Sequence, residues 1–122
     1  MPTIERVKAL VAMVEAGKYV EAIREFYTED ASMQENLGVT RHGRDAMATH
    51  EEGVLRTVKR ITTRPGSSYA IDRDLVMVRW VFDIVQADGK AFTLDEIACQ
   101  TWRGDRIAQE RFYYDPAQRK PL

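Results

Sequence analysis

Apolar residues recur at helical spacing in the first half of the chain. Over Thr3–Ala16 they stand three or four positions apart, with Thr3 suited to an N-cap and Gly17 to a helix stop. The same spacing predicts a second helix over Tyr19–Tyr27 and a third that starts near Arg44. The third helix carries four apolar residues on one face: Met47, Val54, Leu55 and Val58.

Strand patterns dominate the second half of the chain. A short strand is predicted over Ala31–Glu35, before the third helix. Leu75–Gln86 and Ala91–Trp102 are rich in β-branched and aromatic residues, and the turn between them contains an Asp-Gly pair. A second tight turn leads into Arg106–Tyr114. Helices followed by an antiparallel meander predict the α+β class, with the sheet curled over the helices.

Length and charge restrict the class of protein. The 122 residues fit one domain, residues 1–122, which is large enough for its own hydrophobic core. With 18 basic against 19 acidic residues, the chain lacks the basic footprint of a nucleic-acid binder. The longest apolar stretch, Ala9–Val14, is far short of the ~20 residues that span a bilayer. We therefore predict a cytoplasmic protein without nucleic-acid or membrane partners.

Familiar cofactor and metal motifs are incomplete. The loop Gly38–Asp45 has the glycine spacing of a phosphate loop but lacks its Lys and Ser/Thr. His50 and Glu51 resemble the start of a zinc-protease helix, yet Val54 stands where the second histidine would be. The lone Cys99 lies within a predicted strand. We predict no metal and no cofactor.

Ionisable residues interrupt segments that otherwise have the pattern of buried elements. They are Glu35, His50, Arg79, Asp83, Glu96 and Glu110. Alternate strand residues share a face, so Glu96 lies with Ala98 and Gln100. The sequence leaves open whether that face lines a cavity or meets solvent. Tyr113 and Tyr114 must point to opposite faces, which leaves apolar area for a partner subunit and predicts a homodimer.

Three segments together suggest a family. Ala22–Gly43, the helix entry Gly43–Met47 and the turn Trp102–Ile107 resemble, in order and spacing, the nuclear-transport-factor-2-like superfamily, with the SnoaL-like branch most similar. The resemblance implies a cystatin-like cone, in which a strongly bent antiparallel sheet wraps around three N-terminal helices and encloses a pocket. It also implies dimerisation through the outer sheet face.

Site residues follow from the same resemblance. Glu35 falls where the ketosteroid isomerases carry their carboxylate base, whereas Leu10 and Ala98 replace their oxyanion donors. SnoaL-like cyclases place polar residues at alternate positions of the last strand, and here only Glu110 is polar. The predicted catalytic residues are Glu35, Glu110 and His50. The predicted substrate-binding residues are Phe26, Met33, Glu96, Ala98, Phe112 and Tyr114.

Three functions remain open at this point. The first is a cofactor-free enzyme of the isomerase, cyclase or hydrolase type, in which a carboxylate base acts on a small apolar, carbonyl-type or polyketide-like substrate. The second is a non-catalytic module that binds a small hydrophobic molecule, its carboxylates orienting the ligand or pairing with Arg79. The third is a structural dimer whose pocket is incidental. The fold alone does not choose among them.

Overall fold

The computed structural model describes residues 1–119, which form three helices, seven strands and a final 3₁₀ turn. The helices are α1 (Ile4–Glu15), α2 (Tyr19–Phe26) and α3 (Arg44–Thr57). The strands are β1 (Tyr27–Glu35), β2 (Arg41–His42), β3 (Val58–Thr63), β4 (Tyr69–Asp72), β5 (Leu75–Gln86), β6 (Ala91–Arg103) and β7 (Arg106–Tyr113). The C-terminal turn is Pro116–Arg119. The predicted α+β architecture with three N-terminal helices is confirmed.

The seven strands of the described region form one sheet in the order β2-β1-β7-β6-β5-β3, with β4 pairing along the other half of β5. Strands β5, β6 and β7 form the predicted antiparallel meander. The sheet as a whole is mixed, which corrects the expectation of a purely antiparallel one, because β1 runs parallel to β7. Parallel neighbours need a long crossover, and here the chain from α3 through β6 supplies it.

Burial along β6 shows which face of the sheet is inside. The six alternate residues from Phe92 to Trp102 are each at most 8% exposed, and they face the helices. The residues between them, such as Asp95 and Ile97, lie on the convex face. The core joins Val7 and Leu10 of α1 to this concave face. The face that carries Glu96 is therefore the inner one.

Local signals at the first helix act as predicted. The Thr3 hydroxyl accepts a hydrogen bond from the backbone N–H of Arg6 at 3.1 Å and so caps α1. Gly17 adopts a φ of +78°, a left-handed conformation that glycine allows without steric cost, and the chain turns there into α2.

Two residues that the pattern predicts to be helical begin strands instead. Strand β1 starts at Tyr27 rather than Ala31, because Tyr27 already pairs with Ile107 of β7. The helical spacing predicts Val58 on the apolar face of the third helix, but Val58 is the first residue of β3 and pairs with Gln86. In both places pairing with a distant strand overrides the local helical pattern.

The described helices are short. The longest, α3, has 14 residues, and no helix within residues 1–119 is long and apolar enough to cross a membrane.

Candidate functional site

A cavity of about 380 Å³ lies between the helices and the concave face of the sheet. Aliphatic and aromatic side chains form most of its wall, including Leu10, Ile23 and Phe82. Its polar lining contains four carboxylic acids: Glu35, Glu51, Glu96 and Glu110. The volume is in the range of small-molecule sites, which are about 300–1,000 Å³. Acids enclosed by apolar side chains are poorly solvated when charged, so their protonation states decide what the cavity can do chemically.

Strand register places three of these acids in successive rows across the sheet. Glu110 of β7 lies opposite Gln100 of β6. Glu96, four positions earlier on β6, lies opposite Trp80 of β5. Glu35 at the end of β1 occupies the row between them. The three carboxyl groups therefore enter one cavity from three strands.

Glu110 is the centre of a buried hydrogen-bond network. The Tyr27 hydroxyl donates to its Oε1, and Gln100 Nε2 donates to its Oε2 at 2.7 Å. Trp102 Nε1 donates in turn to Gln100 Oε1 at 3.0 Å. Burial raises the pKa of Glu110 to about 7, although both direct hydrogen bonds favour the charged form. Glu110 is thus a rigidly oriented carboxyl group that can exchange a proton near neutral pH.

Glu96 has the opposite environment. It is only 6% exposed, and no donor or cation within residues 1–119 lies within bonding distance of its carboxyl group. Burial, followed by the charges of Glu110 and Glu35, raises its pKa to about 8. At pH 7 Glu96 is therefore mostly protonated, and its O–H can donate to a bound molecule.

The two remaining acids come from different elements. Glu51 of α3 is partly buried, and burial together with the charge of Glu35 raises its pKa. Glu35 is exposed at the end of β1, where the Tyr114 hydroxyl lies 3.5 Å from its Oε2. Glu35 thus acts on the inner acids from the mouth of the cavity.

Positive charge also lies at the mouth. The Gln118 side chain exchanges two hydrogen bonds with the backbone of Asp95, at 2.9 and 3.0 Å, where β7 has ended and no longer pairs with β6. These two hydrogen bonds hold the C-terminal turn against β6 and so bring the exposed Arg119 to the cavity. Arg119 Nη1 lies 3.3 Å from the Tyr114 hydroxyl. The charge of Arg119 opposes the rise in the pKa of Glu96. Arg41 of the short strand β2 also lines the cavity.

The structure brings most of the predicted site residues to this cavity. Six line it: Met33, Glu35, His50, Glu96, Glu110 and Phe112. Phe26 and Ala98 do not line it, which corrects their placement at the site. Both are at most 1% exposed and belong to the core, and the Arg6 guanidinium stacks on the Phe26 ring at 3.9 Å. Tyr114 lies at the rim, beside Glu35 and Arg119.

Two of the ionisable candidates face away from the cavity. Arg79 lies on the convex face. Its Nε and Nη2 donate hydrogen bonds to the two carboxylate oxygens of Asp95, at 2.9 and 2.6 Å. Asp83 lies on the same face and binds Arg64 at 2.8 and 2.9 Å. Arg79 is therefore not a partner of the cavity carboxylates, which corrects the pairing considered above.

Several cavity residues were not predicted from the sequence. Gln100 shares a strand face with Glu96, so an amide on an otherwise apolar face was the available signal. Glu51 stands four residues after the buried Met47, a spacing that places both on one side of α3. Tyr27 had no such signal, because it counted as the last apolar residue of α2. Within residues 1–119, no group of three or more His, Cys, Asp or Glu side chains is placed to hold a metal ion.

A curled sheet that encloses an acid-lined cavity under three helices defines a small α+β cone, and a solved nuclear-transport-factor-2-like protein from Burkholderia pseudomallei has the same fold. The family itself is shown by sequence. Residues 7–110 match the model of the SnoaL-like domain, and the chain belongs to that family.

Solved structures agree on the fold. A SnoaL-like protein from Mesorhizobium loti superimposes with a TM-score of 0.77 at 23% identity, covering 93% of this chain and 100% of the other. TerC, co-crystallised with polyporic acid, superimposes with a TM-score of 0.79 at 19% identity, and the match covers 96% of this chain and 94% of TerC. A Catenulispora acidiphila protein with a ketosteroid isomerase-like fold was solved in complex with trimethylamine. It superimposes with a TM-score of 0.78 at 18% identity, and the match covers 95% of this chain and 89% of the other. No curated protein is significantly similar in sequence.

Proposed function

We propose that this protein is a cofactor-free acid–base catalyst that moves a proton on a small, largely apolar carbonyl compound bound in the cavity. One observation carries the proposal: two buried carboxyl groups in one apolar cavity have opposite surroundings. Glu110 is fixed by two hydrogen-bond donors, whereas Glu96 faces the cavity without a partner within the described residues. Pairs of acids in different environments are how one site supplies both a base and an acid.

Glu110 is the base in this proposal. Its two oxygens are held in place by Tyr27 and Gln100, and a pKa of about 7 lets the carboxylate accept a proton near neutral pH. It takes the proton from the carbon next to the substrate carbonyl. The electrons of that C–H bond form a carbon–carbon double bond, and the carbonyl π electrons move to oxygen.

Glu96 is the acid. With a pKa of about 8 it still carries its proton at pH 7, and it donates that proton to the carbonyl oxygen as negative charge develops there. The product is an enol. Where a carbon–carbon double bond adjoins the deprotonated carbon, the enol is a dienol: Glu110 returns its proton to the far end of the diene, the carbonyl re-forms as the enol O–H returns its proton to Glu96, and the product is an isomer with a shifted double bond. The step is redox-neutral and needs no added reactant. Glu35, exposed at the mouth, supports this electrostatically, because its charge helps to keep Glu96 protonated. His50 is exposed at the same mouth and takes no part in the transfer.

The character of the cavity supports a ligand-binding role. Its wall is mainly apolar, which suits a small hydrophobic molecule. Two neighbours of this fold were solved with a bound small molecule, polyporic acid in one and trimethylamine in the other. A non-catalytic binding module would use the same wall, so the experiment has to separate binding from proton transfer.

Hydrogen–deuterium exchange provides that separation. A panel of cyclic ketones in D₂O is followed by NMR with the wild type, Glu110→Gln and Glu96→Gln, and with Glu29→Gln as a control on the exposed part of β1. We expect the wild type and the control to accelerate exchange next to the carbonyl, and Glu110→Gln to lose about 100-fold or more. Binding without exchange would identify a binding module instead, and absence of binding would favour the structural dimer.

We extend the proposal to a homodimer through the convex face. Met77, Ile97 and Tyr113 are there 43%, 47% and 45% exposed. Stable dimers bury about 1,200–2,000 Å² or more, and an apolar patch on a sheet face is suited to that. Light scattering at micromolar concentration should give twice the 14.0 kDa chain mass. A monomeric mass would exclude the dimer without affecting the cavity chemistry.

A further inference from the structure

We propose that the cavity is also a binding site for a compact organic ammonium ion, seated between the carboxylate of Glu96 and the ring of Trp80. This inference rests on the proposed function only in using the same cavity. It adds a second class of ligand, which would exclude the neutral substrate by occupying its place.

The geometry around Glu96 is that of a built site. Glu96 is only 6% exposed, and its carboxyl group opens onto the cavity with no hydrogen-bond or ion-pair partner within residues 1–119. Once ionised, a buried carboxylate without a partner is costly, and a cation that pairs with it offsets that cost. Trp80 lies directly opposite Glu96 on the neighbouring strand and faces the same cavity.

Aromatic rings complete the seat. The Trp80 and Phe82 ring centroids are 6.4 Å apart, and Tyr19 packs edge-on against Phe82 at 6.0 Å. All three rings line the cavity. Ring faces attract cations through their quadrupole, and clusters of rings recognise methylated ammonium groups for that reason. A carboxylate next to such a cluster offers both the charge and the apolar contact that this ligand needs.

The charges around the site favour a cation over an anion. Three acids face Glu96 from other elements: Glu35 of β1, Glu51 of α3 and Glu110 of β7. The positive or ionisable groups are at the mouth: Arg41 of β2, His50 of α3 and Arg119 of the C-terminal turn. His50 and Arg119 are exposed, and Arg41 is partly exposed on a two-residue edge strand, so solvent screens them more than it screens the buried acids.

Ammonium binding has a distinctive dependence on pH. A cation pairs with Glu96 only when Glu96 has lost its proton, so its affinity rises as the pH rises through about 8. A neutral carbonyl ligand needs the protonated acid, so its affinity falls over the same range. The two ligand classes therefore give opposite trends at one residue.

An isosteric series tests the inference directly. Choline and 3,3-dimethyl-1-butanol have the same shape and differ by one positive charge, while 3,3-dimethylbutanoate carries a negative one. Calorimetry at pH 6 and pH 9 should show choline binding about tenfold or more tighter at pH 9, because Glu96 is then mostly ionised. The alcohol should change less than about twofold, and the anion should bind most weakly. Choline has no titrating proton, so the trend must come from the protein.

Variants locate the effect. Glu96→Gln should remove most of the pH dependence for choline, leaving only the weaker effect of Glu110, and Glu29→Gln should leave it intact. Equal affinity of choline and the alcohol at pH 9, absence of binding by both, or no change in choline affinity with pH would each overturn the inference using the wild type alone. None of these results bears on deuterium exchange into ketones, so this inference and the proposed function can fail separately.

Discussion

Asp95 and Glu96 are adjacent residues of β6 with opposite electrostatic surroundings. Asp95 lies on the convex face, where Arg79 binds both of its oxygens and lowers its pKa. Glu96 lies on the concave face, where burial and neighbouring acids raise its pKa to about 8. Successive strand residues point to opposite faces, so a single step along the chain separates the two environments.

The same contrast holds between the two faces as a whole. On the convex face Asp83 pairs with Arg64 and accepts a hydrogen bond from Thr93, and its pKa falls to about 2. On the concave face burial raises the pKa of Glu110 to about 7, and no cation within residues 1–119 pairs with it to oppose the rise. Structural carboxylates are paired with arginines, whereas the cavity acids are left able to gain and lose protons. That arrangement costs stability at high pH, as strained functional sites commonly do.

The largest expected effect is on stability, from Glu96→Gln. Because the folded pKa of about 8 exceeds the ordinary value of 4.5, the native state holds more protons than the unfolded state between those pH values. Wild-type stability therefore falls as pH rises through this window, by about 5 kcal/mol at most. Urea unfolding should show Glu96→Gln more stable than wild type by about 2–5 kcal/mol at pH 9 and nearly equal to it at pH 4.

Asp95→Asn is the matched control with the opposite sign. The stabilisation by Asp95 is present above its unfolded pKa and is lost as the pH falls through its lowered folded pKa. The variant should be less stable than wild type at pH 7 and equal to it in strong acid. The effect should be small, because the Asp95 side chain is 41% exposed. If both variants shifted stability in the same direction at pH 9, the contrast between the faces would be wrong.

A smaller effect is expected from Tyr27→Phe, which removes one donor from Glu110. Since that hydrogen bond favours the charged carboxylate, its loss should raise the pKa of Glu110 above about 7. The free energy of unfolding should fall by about 1–3 kcal/mol at pH 8 and by less at pH 5, where Glu110 is protonated. Urea unfolding at both pH values measures this. An equal loss at both would show that only packing had been disturbed.

The smallest effects should come from the mouth, where two charges act on Glu96 in opposite directions. Glu35→Gln removes a negative neighbour and should lower the pKa of Glu96, whereas Arg119→Gln removes a positive one and should raise it. Both residues are exposed, so each change should be a fraction of a pH unit and should shrink as salt is added. NMR titration of Glu96 in the two variants measures both changes in its pKa. A change in the same direction in both variants would contradict the prediction.

Much of the fold could be predicted from local patterns. The Asp-Gly turn and the β-branched runs placed β5 and β6 to within one residue at each end. The parallel pairing of β1 with β7 could not be predicted in this way, because it depends on contacts between residues about 80 positions apart, such as Tyr27 and Ile107. Strand β3 was missed for a similar reason, since its pairing with β5 is what ends α3.

The candidate site was predictable in composition rather than in detail. Strand parity grouped Glu96 with Ala98, but only the packing of the helices shows that Glu96 opens on the cavity while Ala98 is covered. Glu110 was identified as the one polar residue on its strand face. Its partner Gln100 lies directly opposite it on β6, whereas Tyr27 of β1 pairs in register with Ile107 and reaches Glu110 only through its side chain. Whether an acid is paired or isolated is a three-dimensional property that residue type does not encode.

Titration of the glutamate side-chain carboxyl carbons by ¹³C NMR tests the two-acid cavity most directly. Between pH 3 and pH 10, two glutamates should titrate with midpoints near 7 and 8, well above the ordinary value of 4.5. The higher midpoint should disappear in Glu96→Gln and the lower one in Glu110→Gln. If every glutamate of the wild-type protein instead titrated below about pH 5.5, the cavity would not hold a protonated acid beside a base, and the proposed acid–base chemistry would be contradicted.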